Sequence, residues 1–470
     1  MKKRVAFFTI LLLVLLTVSC KKLNSKPEPG LTPTVAEPTI TNITPAIEVD
    51  SNALYEFSAD SLTKLASNMT EDVLKGEFKR VNSYFTEELK ATYTVEVLKG
   101  AYEATVKPLG EFIEINSISD QEIEDQIVIQ VILKYEQNGL VITYGFNKDI
   151  NLTIFYISYK NLDEEVASDL YTEYEITVGD TTEPLDGLLT LPKGVKNPPV
   201  VILVHGSGQN DMDETIGAVG NKPFRDIAHG LAERGIATIR YNKRYYQYTD
   251  NIPENMTVYD EVLKDVTSAI SLAKERGDVD VNRIYIIGHS LGGMLSPKIA
   301  LDNKEVVGII SLAGSPRNLE DIIYDQAVYF TQLDEVSSEA EKKLYLDSMQ
   351  VNVERVKNLT EQDLSEPILG CTGYYWKSLQ ELDMKAIVTT LEIPMLFLQG
   401  SADFQIYPDI DFVMWKELLE DHSNVSFIMY DGLNHLFMPT TGAIGLEDYN
   451  TKARVSNQVI QDIADWINQN

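Results

Sequence analysis

Cysteine is almost missing from this chain: 470 residues hold two, Cys20 and Cys371. Two thiols allow one bridge at most, so a disulfide-stapled scaffold is excluded and the fold must rest on its core. Positive charge is scarce too, with 40 Lys and Arg against 71 Asp and Glu, a formal net charge of −31. That excess repels phosphate backbones and anionic headgroups, which argues against nucleic acid as a partner and reads first as a solvated acidic surface. Long apolar runs are limited to Val5–Val18 behind Lys2, Lys3 and Arg4. This run suits the core of an export signal and is shorter than the roughly 20 residues of a membrane-spanning helix.

The segment "LTVSC", Leu16 to Cys20, resembles the lipobox of bacterial lipoproteins, although Thr17 stands where leucine is usual. The resemblance implies cleavage after residue 19, lipidation of Cys20 and an extracytoplasmic, membrane-anchored protein of net charge −34, with Cys371 left unpaired. A plain secretory signal or an uncleaved anchor are the other readings. Residues 20–52 carry Pro27, Pro29, Pro33, Pro38 and Pro45 without apolar periodicity, the composition of a disordered tether.

Two folded units are expected in the remainder. In residues 53–170, helical patterns at about Ser58–Lys75 and Phe78–Glu103 precede the alternating segments "EFIEINSI", "QIVIQVILKY", "LVITYGF" and "INLTIFYI". Helices followed by an antiparallel meander predict a small α+β domain. It resembles a domain of unknown function that precedes bacterial hydrolase domains, with a cystatin-like or NTF2-like sheet. The unit has no histidine, and its expected role is interaction or spacing. In residues 171–470, strands and helices alternate. Nearly continuous apolar strands such as "PVVILVHG" and "RIYIIGH" predict an α/β fold, a mostly parallel sheet covered on both faces. Between "SLAGSPRN" and "IPMLFLQG" an insertion, about 318–392, is placed to form a helical cap over a strand end, or an appendage packed elsewhere.

The stretch "IIGHSLGGML" joins a strand to a helix through G-x-S-x-G, the context of a nucleophile elbow. Gly288 and Gly292 allow a tight turn, which exposes Ser290 and starts a helix at Leu291, whose N–H can face an oxyanion. Pro297, inside that helix, must kink it or free a hydrogen bond. A serine needs a base, and in this fold acid and then histidine follow the nucleophile. His422 precedes the last strand and His435 follows it, so His435 lies at the edge of Ser290. Asp403, in "FLQGSAD", is the matching acid, with Asp409, Asp411 and Asp431 as competitors. The loop "VHGSGQND" offers Ser207 N–H as second oxyanion donor beside Leu291; His205, His229 and His289 read as structural. Asp211, Asp213, Asn221 and Lys222 line the pocket or solvate a loop, and Arg244 meets an anionic substrate group or braces one.

With these residues the second unit resembles the α/β-hydrolase superfamily, in its bacterial esterase, serine-aminopeptidase-like and dienelactone-hydrolase-like branch. "NKPFRDIAHGLAERGIATIRYNKR" and "WKSLQELDMKAIVTTLEIPMLFLQGSADFQI" carry the same flavour. The resemblance implies a serine hydrolase, foremost a carboxylesterase working through an acyl-enzyme on a small-molecule ester, with neither metal nor organic cofactor. One rival is an aminopeptidase or amidase using the same residues, with Glu361, Asp363 and Glu366 available to hold an ammonium. The other is a binding lipoprotein with a vestigial hydrolase fold.

Overall fold

The computed structural model describes residues 55–162, 168–443 and 445–470. The expected signal, Cys20 and the tether lie outside them. The described residues form two compact units, 55–162 with 218–220, and 168–217 with 221–470.

The first unit begins with α1 (Ala59–Leu74), whose N-cap Ser58 accepts from Ser61 N–H. Leu62, Leu65, Ala66, Met69 and Val73 are fully buried along one helical stripe. The helix expected over Phe78–Glu103 is instead three: α2 (Lys79–Tyr84), α3 (Glu87–Thr92) and α4 (Val95–Val106). Thr86 and Thr94 are extended N-caps, and the Thr94 hydroxyl accepts from Val97 N–H, a local bond that competes with a continuous helix. Four strands follow, β1 (Phe112–Ile123), β2 (Gln126–Tyr135), β3 (Gly139–Asn147) and β4 (Leu152–Lys160), an antiparallel meander in sequential order. Alternation along β2 buries Ile127, Ile129, Val131 and Leu133, as a one-faced sheet requires.

The second unit holds an eight-stranded sheet. Its strands are β5 (Tyr171–Val178), β6 (Leu185–Pro192), β7 (Val200–Val204), β8 (Ala237–Tyr241), β9 (Ile284–His289), β10 (Val306–Leu312), β13 (Met395–Gly400) and β14 (Val425–Tyr430). A two-residue hairpin, β11 (Pro367–Ile368) and β12 (Cys371–Thr372), stands apart. The spatial order is β14-β13-β10-β9-β7-β8-β6-β5, parallel except for β6 against its two neighbours. Every residue of β7, β9 and β13 is buried, because helices cover both faces. On one face lie α5 (Pro223–Ala232) and, at the chain end, α14 (Asn457–Gln469). On the other lie α7 (Lys264–Glu275), α8 (Leu291–Asp302), α12 (Met384–Thr389) and α13 (Val413–Leu418). A short turn, α6 (Arg244–Gln247), follows β8.

Between β10 and β13 the chain forms α9 (Leu319–Leu333), α10 (Glu339–Lys357), the hairpin, α11 (Gly373–Gln380) and then α12. Residues of α9 and α10 line a cleft that reaches Ser290. Pro297 does free a bond: it cannot donate to the Gly293 carbonyl, and the Ser311 hydroxyl of β10 takes that carbonyl at 3.1 Å.

Candidate active site

Strand β9 ends at His289 and α8 starts at Leu291, leaving Ser290 alone between them at φ 52°, ψ −114°. A non-glycine residue with positive φ is strained, and the packing around it must hold it there. The glycines permit this. A Cβ on Gly288 would fall 2.1 Å from the Gly292 carbonyl oxygen, and one on Gly292 would fall 2.2 Å from that of Val204. The Ser290 N–H donates to the Leu312 carbonyl at 2.9 Å, which fastens the turn to β10. Leu291, the first residue of α8, has an N–H without an intrahelical acceptor.

Asp403 and His435 arrive on the loops after β13 and β14, and they touch. His435 Nδ1 lies 2.7 Å from Asp403 Oδ2. The same oxygen accepts from Gln399 Nε2 at 2.8 Å, while Oδ1 accepts the N–H groups of Gln405 at 2.8 Å and Ile406 at 3.0 Å. A carboxylate so engaged is fixed as an acceptor, which places the ring proton on Nδ1 and leaves Nε2 free to take one. Asn434 shapes the His435 loop, its Oδ1 accepting from Leu436 and Met438 N–H.

Ser290, Leu291 and Ser207 line one cleft, about 830 Å³ of empty space partly open to solvent. Its other walls are mainly apolar, including Met294, Ile322, Ala327, Phe330 and Met349. The structure does not join Ser290 Oγ to His435 by a hydrogen bond among the described residues. It links them through His289, whose Nε2 lies 3.0 Å from the His435 carbonyl and whose ring centroid is 4.6 Å from that of His435.

Two comparisons decide the family. Residues 198–439 match the family described as serine aminopeptidase, S33. Esterase EstD of Thermotoga maritima is 32% identical over 396 residues, which span 83% of this chain and 91% of that protein. The chain belongs to this family of α/β-hydrolases. Residues 66–155 match a second family, DUF3887, described as a protein of unknown function. Solved structures are more distant. Est1E from Butyrivibrio proteoclasticus is 15% identical with a TM-score of 0.41, over 63% of this chain and 99% of that one. A hyperthermophilic esterase from the archaeon Pyrobaculum calidifontis is 15% identical with a TM-score of 0.41, over 64% and 86%.

Other histidines of the hydrolase are occupied differently. His205 is buried between the rings of Phe224 and Tyr241, and burial pushes its pKa down to about 4, so it stays neutral. His229 meets Glu173 at 3.1 Å. His422 lies ahead of β14, at the opposite strand end from His435. Asp411 is paired with Arg317 at 2.8 Å, and Asp431 accepts from Ser401.

None of the loop residues offered as pocket lining reaches the cleft. Asp213 binds Lys222 and Arg240, both at 2.9 Å. Asp211 accepts from Thr215, and Asn221 holds the backbone at Tyr449, Thr451 and Ala453. Arg244 braces, through Glu183 at 2.9 Å and Asp265 at 2.6 Å. Glu361, Asp363 and Glu366 are also absent from the cleft, and Asp363 is tied to Arg355.

Two buried ionic groups escaped sequence reasoning. Glu214 Oε1 accepts from Gly206 N–H at 2.7 Å, and its Oε2 lies 3.0 Å from His289 Nδ1. Burial opposes charge on both, but their mutual attraction prevails, raising the His289 pKa and lowering that of Glu214. The second group is Lys243 with Glu261 at 2.6 Å. Among the described residues no group of three or more His, Cys, Asp and Glu side chains could hold a metal ion.

Proposed function

We propose that this hydrolase is an exported, lipid-anchored carboxylesterase acting through an acyl-enzyme on Ser290. The observation that carries the ester preference is the lining of the Ser290 cleft. Among the described residues its walls are Leu, Ile, Met, Ala and aromatic side chains with Ser and Gln, and no carboxylate. A neutral acyl group is suited to such walls, whereas the α-ammonium of an aminopeptidase substrate would be desolvated there without a counter-charge. Likeness to an esterase over most of the chain supports the same reading.

In this reading His435 Nε2 takes the Ser290 proton as Oγ attacks the ester carbonyl. Asp403, bonded to Nδ1, stabilises the imidazolium. The N–H groups of Leu291 and Ser207 receive the oxyanion. The protonated histidine then releases the alcohol, and water activated by the same ring frees the acid. Cys20, following the lipobox-like segment, would carry the lipid, with residues 20–52 spacing the enzyme from an extracytoplasmic membrane surface.

A fluorophosphonate probe is expected to label the purified protein but not Ser290→Ala; equal labelling of both removes Ser290 as nucleophile. Turnover of short p-nitrophenyl esters is expected to exceed that of aminoacyl anilides, and the reverse would make the enzyme a peptidase. Radiolabelled palmitate is expected in the cell-expressed protein and not in Cys20→Ala; no incorporation would reduce the export claim to secretion.

A further inference from the structure

Gly206 is held through both of its backbone groups by buried charge. Its carbonyl accepts from Lys243 Nζ at 2.8 Å and from Asn210 Nδ2 at 3.3 Å. The N–H of Gly206 is taken by Glu214. Lys243 is 4% exposed and follows β8, and its counter-ion Glu261 lies on a π-helical turn (Tyr259–Leu263) before α7. Glu261 Oε1 also accepts from Gly208 N–H at 3.3 Å, and Oε2 accepts from Tyr375 Oη of α11 at 2.5 Å.

Burying a lysine and a glutamate is costly, and an apolar pair of the same volume is commonly as stable or more so. Core stability therefore gives no reason for these two residues. What the ammonium does touch is the carbonyl of the peptide whose other end is the Ser207 N–H. In a trans peptide C=O and N–H point in opposite directions, and the described residues contain no cis bond. With its carbonyl turned to Lys243, the N–H points away from Lys243, and Ser207 lines the cleft with Ser290 and Leu291. A cation on the carbonyl oxygen also draws electron density from the amide nitrogen, which makes the N–H a stronger donor.

We propose that Lys243, held by Glu261, is a positioning residue that aims and polarises the Gly206–Ser207 peptide as an oxyanion donor. The proposal rests on the assignment of Ser290 and Ser207 above. Because Glu261 is bonded to Tyr375, the insertion between β10 and β13 supports the donor as well as lining the cleft.

The test compares full-length wild type, Lys243→Met and Lys243→Met with Glu261→Gln on one p-nitrophenyl ester and on a trifluoromethyl ketone analogue of it. For Lys243→Met, kcat is expected to fall roughly ten- to a hundredfold, less than the loss of a whole donor, with KM changed about twofold or less. Affinity for the ketone, which forms an oxyanion on Ser290, is expected to fall by the same factor as kcat. Should the lone Glu261 charge prevent folding, the double variant decides, since it buries no unpaired charge. It is expected to melt near the wild-type temperature and still show the loss of kcat and ketone affinity. Wild-type kcat in the double variant, or a kcat loss with unchanged ketone affinity, overturns the proposal. If wild type is labelled by fluorophosphonate and only the Lys243 result fails, the hydrolase assignment stands and this inference alone is lost.

Discussion

The four-stranded sheet of the first unit and the eight-stranded sheet of the second are both rich in Ile, Val and Leu, but they differ in what is buried beside them. The buried polar residues of the first unit, among those described, are Ser67, Asn68, Thr70 and Asn138, all neutral. The second unit buries Glu214, Arg240, Lys243, Arg244, Glu261, Asp265, Asp403 and Asp411 along with His205, His289 and His435. A buried charge costs several kcal/mol unless it is paired and bonded, so a fold that minimised only its own free energy would place few. Six of them, Glu214, Lys243, Glu261, His289, Asp403 and His435, touch one another or the backbone of the loops that carry Ser207, Ser290 and His435, where orientation of groups is maintained against that cost. Among the described residues the first unit bears no such mark.

The contrast can be broken most directly at the site. Ser290→Ala is expected to lower kcat on esters about 10⁶-fold and Asp403→Asn about 10⁴-fold. Full activity in either variant would detach the buried polar cluster from the chemistry. Glu214→Ala leaves His289 without its counter-charge and Gly206 N–H without an acceptor. Thermal unfolding is expected to show a loss of about 3–5 kcal/mol, and a loss below about 1 kcal/mol would mean the pair is solvated.

Thr70→Val probes the other side of the comparison. It removes a hydroxyl bonded to the Ala66 carbonyl and to Tyr144 Oη, which is expected to cost about 1–2 kcal/mol. Ester kcat should not change; a fall in kcat at full folding would give the first unit a part in catalysis.

Acid separates the two regions more gently. Burial opposes ionisation of Glu173, yet hydrogen bonds from His229 and Arg240 hold its pKa at about 2, below the ordinary 4.5. A carboxylate whose folded pKa is depressed adds stability above its unfolded value, and that stability is lost as pH falls from about 4.5 towards 2. Asp213 and Glu214 are held low as well. All three tryptophans, Trp376, Trp415 and Trp466, belong to the second unit, so their fluorescence reads that unit alone. Its midpoint in an acid titration is expected to fall within this window, and to move upward in Glu173→Gln.

The sheet, the elbow and the Asp403–His435 pair were legible because each leaves a local trace. Apolar runs mark strands buried on both faces, glycines two residues either side of Ser290 mark a backbone crossing, and the last two strand ends supply few candidates. The break of the second helical pattern at Thr86 and Thr94 was hidden, since both residues turn extended within a good apolar period and only at Thr94 does a cap hydroxyl bond the next turn. Glu214, Lys243 and Glu261 were hidden for a different reason. Among 71 acidic residues nothing local sets two of them apart, and their partners come from distant segments, as with Glu261 and Tyr375, which are 114 positions apart. His289 is structural as read, but its partners, Glu214 and the His435 carbonyl, are equally hidden from the sequence. Arg244 and the loop residues Asp211, Asp213, Asn221 and Lys222 read equally as lining or brace, and only the fold distinguishes these.

Pro297 and Ser311 have a consequence for inheritance. The Ser311 hydroxyl serves a carbonyl that is vacant only because residue 297 has no N–H. A lineage that replaced Pro297 with alanine would restore the ordinary helical bond and relax the demand for a hydroxyl at 311. One that lost Ser311 first would leave a buried carbonyl unserved. The effects of substitutions at the two positions are therefore expected to be coupled rather than additive.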